Sequence, residues 1–153
     1  MKRLLVVYHS QTGTTERLAL AVATGARSAE IDGVETTLLR AVDAGPGDLL
    51  RTDAVVLASP ENFGYLSGGM KDFLDRTYYP CAGRVDGLPY AAVIAAGNDG
   101  TGALAALRRI ARGYPLREVR EPVVWRGPIT DVALRHCSEL GTAIAAGLEL
   151  GMF

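Results

Sequence analysis

The sequence predicts an α/β domain built on one doubly wound, five-stranded parallel sheet with helices on both faces. Three observations carry that prediction. Strand-like apolar runs alternate with segments of helical period about five times along residues 1–153. The run Ala54-Val55-Val56-Leu57-Ala58 is apolar at every position, as a parallel strand covered on both faces must be. Polar, Gly-containing loops follow the first, third and fourth runs, which would gather them on one edge of such a sheet.

Taken in order, Leu4-Leu5-Val6-Val7-Tyr8 reads as a buried first strand. Ser10-Gln11-Thr12-Gly13-Thr14-Thr15 leads from it into a helix whose Leu18, Val22 and Ala26 recur every four residues and share a face. Gly33 opens Val34–Leu39, a β-branched second strand. Ala44-Gly45-Pro46-Gly47-Asp48 breaks the chain, and Leu49-Leu50 falls in a short helical turn. After the third strand, Ala54–Ala58, the stretch Ser59–Tyr65 reads as a loop. A helix follows, with Leu66, Met70, Phe73, Leu74 and Thr77 inward and Lys71, Asp72, Asp75 and Arg76 towards water. Beyond a loop from Gly83 to Gly87, Pro89–Ala96 is the fourth strand, with Pro at its start, where a lost N–H is tolerated. Gly97-Asn98-Asp99-Gly100 is a tight loop. The helix from about Thr101 carries Leu104, Leu107 and Ala111 inward and stops at Gly113 and Pro115. Leu116–Trp125 is a fifth, more polar strand interrupted by Pro122, which suits an edge. Thr130-Asp131 caps a last helix with Ala133, Cys137, Leu140, Ile144 and Leu148 on its inner face.

At 153 residues the chain fits one domain, 1–153, with no repeat, low-complexity tract or linker. A net charge of −1 gives no global argument for a nucleic-acid or membrane partner. No apolar run approaches the ~20 residues of a membrane span. Cys81 and Cys137 lie far apart with no metal-ligand spacing, and read as free thiols of a reducing compartment. The N-terminus is strand-like from Arg3 onward, without a signal-peptide pattern, so the expected location is cytoplasmic.

The loop Ser10–Thr15 packs four hydroxyls and one Gly ahead of a helix. A helix N-terminus offers unpaired N–H groups and the positive end of the macrodipole. Gly13 permits close backbone approach, and Ser and Thr hydroxyls donate to phosphate oxygens without a cation. The loop has no P-loop Lys and no three-Gly dinucleotide fingerprint. It suits a terminal monophosphate held by neutral donors, as on flavin mononucleotide (FMN). An ordinary capped helix after a tight turn fits the same residues equally well.

Together these residues resemble a flavodoxin-like FMN-binding protein, and are most similar to NAD(P)H-dependent FMN reductases and NAD(P)H:quinone oxidoreductases. Ser10 to Thr15 resembles their phosphate loop. Pro60-Glu61-Asn62-Phe63-Gly64, followed by Ser67-Gly68-Gly69-Met70-Lys71-Asp72-Phe73-Leu74-Asp75-Arg76, resembles their flavin-ring loop and the helix behind it, and is the more distinctive block. Gly97-Asn98-Asp99-Gly100 matches in position and Gly content only. The resemblance implies the strand order 2-1-3-4-5, with the first and third strands flanking the switch point. It implies that Ser10, Gln11, Thr12, Gly13, Thr14 and Thr15 hold the FMN phosphate. Pro60, Glu61, Asn62, Phe63 and Gly64 would lie along the isoalloxazine ring, and Gly97, Asn98, Asp99 and Gly100 would cover its far side. The chemistry would belong to the flavin, with no catalytic side chain and no metal.

That resemblance implies an oxidoreductase passing electrons from NAD(P)H through FMN to a quinone-like small acceptor. A flavodoxin-type electron carrier and a flavin-free interaction domain are the alternatives. Near-neutral charge disfavours the carrier, which would use a strong field to find its partner. Glu61 departs from the related loops, which carry a small or apolar residue there. Its carboxylate either lies beside the ring or points to solvent. Arg108, Arg109, Arg112, Arg117, Arg120 and Arg126 are candidates for nicotinamide phosphates or for a solvated face. Tyr65, Tyr78 and Tyr79 are candidates for the ring pocket or a subunit interface, which keeps a homo-oligomer open. His9 reads as a strand-end residue with a satisfied ring.

Overall fold

A computed structural model describes residues 1–153. The elements, in order, are β1 (Lys2–Tyr8), α1 (Thr14–Ala26), β2 (Val34–Arg40), α2 (Pro46–Arg51), β3 (Ala54–Asn62), β4 (Tyr65–Leu66), α3 (Gly68–Cys81), β5 (Pro89–Ala96), α4 (Thr101–Gly113), β6 (Arg117–Glu118), β7 (Val123–Arg126) and α5 (Asp131–Glu149).

The main sheet runs β2-β1-β3-β5-β6, with β7 also paired to β5. Because β1 and β3 lie side by side while β2 and β5 lie outside them, chain order reverses direction between β1 and β3. Strand registers Val6↔Val56 and Leu57↔Ala92 align the apolar runs across the centre of the sheet. The alternation of side chains then divides the interior into two layers. Leu5, Val7, Leu57 and Ile94 face Met70 and Phe73 of α3 and Leu107 of α4. Leu4, Val6, Val56 and Val93 face Leu18 and Val22 of α1 and Cys137 and Ile144 of α5. No helix is long and apolar enough to cross a membrane.

Seven strands replace the expected five, for two reasons. The fifth strand is divided into β6 and β7, both parallel to β5, with Pro122 in the gap where it can donate no ladder bond. The second reason lies in the stretch after the third strand, expected to be loop. There β3 continues to Asn62 and turns back as an antiparallel hairpin, pairing Glu61 with Leu66 and Asn62 with Tyr65. Pro60 is tolerated because the carbonyl of Ala58 faces β1, where it accepts from His9 N–H. Two residues on, Pro60 would donate on that same side, but the β1 pairing ends at Tyr8↔Ala58. The hairpin is closed by Phe63 and Gly64, with φ of 53° and 71°. Two consecutive left-handed residues make a type I′ turn, whose twist matches the flanking strands. Leu66, expected on a helix, therefore belongs to β4, and α3 starts two residues later behind the cap Ser67, whose Oγ accepts from Met70 N–H.

In α4 the fully buried residues are Ala103, Leu107 and Ala111, while Leu104 is half-buried. In α5 the expected inner face of Ala133, Cys137, Leu140, Ile144 and Leu148 is buried. The helices α1 and α5 touch backbone to backbone. A Cβ at Gly25 would lie 2.0 Å from Ser138 O, and one at Gly141 would lie 1.9 Å from Val22 O. Thr142 Oγ1 donates to Gly25 O across the same contact at 2.9 Å.

Candidate functional site

The carboxyl ends of β1, β3, β5 and β7 open onto two neighbouring clefts. The first, about 460 Å³, is lined by Ser10, Gln11, Thr12, Thr14 and Thr15 from the β1–α1 loop, and by Pro60 and Asn62 of β3. Ala95, Ala96 and Gly97 after β5 and Gly127 and Pro128 after β7 complete it. The second, about 620 Å³, is lined by Glu61 and Gly64 of the hairpin, Asn98, Asp99, Thr101 and Gly102 at the start of α4, and Arg126.

Gly13 is the N-cap of α1 with φ 99°, a left-handed value open to Gly at little cost, and no side chain caps this helix. The first amides of α1, at Thr14, Thr15 and Glu16, have no acceptor within the protein. Two hydrogen bonds hold the loop. Ser10 Oγ accepts from Gly13 N–H at 3.0 Å, and Gln11 Oε1 accepts from Asn62 Nδ2 at 2.9 Å. The second ties the loop to β3 across the cleft. The hydroxyls of Thr12, Thr14 and Thr15 remain without a partner, and Thr15 is buried. The other helices that start on this edge each carry a side-chain cap. Ser67 caps α3 and Thr130 caps α5. Asp48 Oδ2 accepts from Gly45 N–H ahead of α2.

The N-terminus of α4 is filled from a distance. Glu61 Oε1 accepts from Gly100 N–H at 3.3 Å, and its Oε2 accepts from Ala103 N–H at 3.1 Å. Asp99 Oδ1 takes the Thr101 amide at 3.0 Å and the Thr101 hydroxyl at 2.9 Å. The bond from the Thr101 amide is the main reason the Asp99 carboxyl titrates below its ordinary range. Arg126 Nε donates to Asp99 O at 2.9 Å. Glu61 is thus neither beside open cleft alone nor turned to solvent, since both of its oxygens are bonded to α4.

The three loops singled out from the sequence fall on this one edge. Gly13, Phe63 and Gly100 line neither cleft. Gly13 is the α1 N-cap, Gly100 is buried at the α4 N-cap with φ 74°, and Phe63 stands fully exposed at the hairpin tip. Sequence reading singled out Arg126 only within the arginine cluster and missed Gly127-Pro128, although the pair follows a strand and forms a Gly-Pro break, the same signal that marked the other loops. The arginine cluster is dispersed. Arg108 is held bidentately by Glu118, with both bonds at 2.9 Å, and Tyr90 pairs with Glu118 near the amino end of β5, away from the clefts. Arg120 lies over the Phe153 ring. Only Arg126 of the six reaches the site. Tyr78 and Tyr79 sit in the last turn of α3, in edge-to-face contact with each other, and Tyr78 also packs on Tyr114. His9 packs against Gly69, and its Nδ1 is buried without a partner, so its ring is not satisfied as expected. Both thiols are buried and unpaired, and burial pushes Cys137 up to about 12, which leaves neither suited to nucleophilic work.

A family model described as flavodoxin matches residues 6–111. The flavodoxin of Aquifex aeolicus is 37% identical over 102 residues, covering 67% of this chain and 54% of that protein. The NAD(P)H dehydrogenase (quinone) of Acidithiobacillus ferrooxidans is 35% identical over 97 residues, covering 50% of this chain and 48% of that protein. The chain spans about half the length of these curated relatives. Among solved structures, a flavodoxin from the domain Archaea superposes with a TM-score of 0.79 at 23% identity, covering 94% of this chain and 96% of the other.

Proposed function

We propose that this chain, which belongs to the flavodoxin family, binds FMN and passes electrons from NAD(P)H to a small quinone-like acceptor. The single observation that carries the cofactor reading is the unfilled N-terminus of α1, with free amides and three free threonine hydroxyls at the mouth of the first cleft. Such a set fits a phosphate with no cation nearby. When bound, FMN would supply hydride acceptance and onward electron transfer. The protein would hold the phosphate through Thr12, Thr14, Thr15 and the α1 amides. The hairpin Glu61–Leu66 would flank the ring on one side, and Gly97–Gly100 on the other. The Gln11–Asn62 bond would keep the phosphate loop and the ring loop at a fixed spacing. Buried free thiols fit a reducing, cytoplasmic setting.

Replacing Thr12 and Thr14 with Val keeps their shape and removes two donors that face the phosphate. Hydrogen bonds to charged groups contribute about 1.5–3 kcal/mol each, so FMN affinity falls at least about a hundredfold while the melting temperature without flavin moves little. Normal FMN binding with lowered stability would mean these hydroxyls serve the helix alone.

The reaction is favoured over the carrier role by near-neutral charge and short loops around two open clefts, where a nicotinamide and then an acceptor have room to stack. The carrier reading rests on the similarity to the Aquifex aeolicus flavodoxin. Anaerobic stopped-flow decides between them. NADH or NADPH alone is expected to bleach the flavin band, and a small quinone to restore it. Reduction by a separate flavoprotein reductase, with neither nicotinamide acting within minutes, would establish the carrier.

A further inference from the structure

The N-termini of α1 and α4 face the same pair of clefts but are built in opposite ways. The amides of α1 are open, whereas three at the start of α4, those of Gly100, Thr101 and Ala103, are already occupied by the protein's own carboxylates. Of these, Asp99 is local, the ordinary neighbour of a helix start. Glu61 is not. It reaches from β3, 39 residues earlier than Gly100, and its two oxygens take the amides of Gly100 and Ala103. These are groups that a helix leaves orphaned and that Gly100, lacking a side chain, cannot cap. A second contact fastens the same two elements independently. A Cβ at Gly102 would lie 2.0 Å from Gly64 O, so the turn of the hairpin rests directly on the first turn of α4.

We propose that Glu61 is a positioning residue, a built-in anion that fills the N-terminus of α4 and clamps the hairpin Glu61–Leu66 to it, so that both walls of the ring cleft are in place before any cofactor arrives. This rests on the FMN reading for what the cleft holds, but the clamp itself belongs to the chain alone. Two consequences follow from the chemistry. The cleft keeps one open anion site, at α1, because the other helix end is neutralised from within. The carboxylate also places a fixed negative charge at the rim of the cleft, which holds the potential of the bound flavin down by disfavouring negative charge on its reduced form.

Glu61→Gln separates these roles from a generic loss of packing. Gln offers one acceptor oxygen in place of two and sets an amide NH2 against a backbone N–H. In cofactor-free wild type, native-state hydrogen exchange should find the Gly100 and Ala103 amides protected. In the variant their exchange should accelerate by about tenfold or more, while Thr101, held by Asp99, stays unchanged. Affinity for FMN and for riboflavin should fall by the same factor, about tenfold, because the phosphate loop is untouched and only the ring wall has loosened. Gly102→Ala should lower both affinities in parallel by a different route. The midpoint potential of the bound flavin should rise in Glu61→Gln and not in Gly102→Ala, a difference that loosened packing alone would not produce. Unprotected Gly100 and Ala103 amides in the wild type overturn the clamp. Protected amides with unchanged flavin affinity and potential in Glu61→Gln overturn the positioning role. A wild-type chain that binds neither flavin overturns the FMN reading and the positioning role together, while the exchange data still judge the clamp.

Discussion

Riboflavin should bind this chain about a thousand-fold more weakly than FMN. The two ligands share the ring and the ribityl chain and differ only in the phosphate, so their ratio isolates the loop Ser10–Thr15. Each hydrogen bond to a charged acceptor contributes about 1.5–3 kcal/mol, and every 1.4 kcal/mol is a factor of ten. Two of the free donors at the start of α1 are enough to reach about 4 kcal/mol. The count on offer is larger, because the hydroxyls of Thr12, Thr14 and Thr15 and the first amides of the helix are all without partners. No lysine or arginine lines this cleft, so the preference should survive added salt better than a site built on side-chain cations. Quenching of flavin fluorescence, titrated with each ligand, measures the ratio. Equal affinities would remove the phosphate assignment and leave α1 with a merely solvated N-terminus.

Gly141→Ala should cost about 3 kcal/mol of stability and lower the melting temperature by roughly 6–12 °C. Overpacking in a core typically costs about 1–3 kcal/mol when side chains can shift, and a domain of this size loses about 2–4 °C per kcal/mol. Here the added methyl meets backbone, with Val22 O at 1.9 Å and Ala26 N at 3.0 Å. Relief requires α1 and α5 to move apart as rigid bodies, which opens the packing of Leu18 and Val22 against Cys137 and Ile144. Gly113→Ala is the control. It lies at the end of α4 with nothing within 4 Å of its would-be Cβ, and should be neutral or slightly stabilising. Calorimetric melts of the two variants give the comparison, and equal melting temperatures would mean that the two helices do not approach this closely in solution.

The α/β class, the edge that carries the loops and the inner faces of α1 and α5 were legible because they rest on periodicity and on runs too apolar to face water. The hairpin was not. Its signal, two residues with φ above zero, is ordinarily written Asn-Gly, whereas here a bulky Phe63 takes the first place and Pro60 just before it reads as a breaker. Both exceptions are permitted by tertiary context, Pro60 by the end of β1 and the turn by its seat on Gly102. The role of Glu61 was illegible for the same reason, since its partners lie on a helix 39 residues away in sequence. The arginine cluster was legible only as two alternatives. Proximity along the chain said nothing of the pairing of Arg108 with Glu118, which a register between β5 and β6 determines.

The backbone seam between α1 and α5 also bears on how the chain is made. Thr142 bonds to Gly25 across 117 residues, and α5 is the last of the elements to be synthesised. At about 5–20 residues per second the apolar stripe of α1 would wait roughly 6–23 s for its cover. Through that interval Leu18 and Val22 have no helix to close over them. A nascent chain in this state is a target for holding chaperones, and a ribosome stalled short of α5 would release a product prone to aggregate.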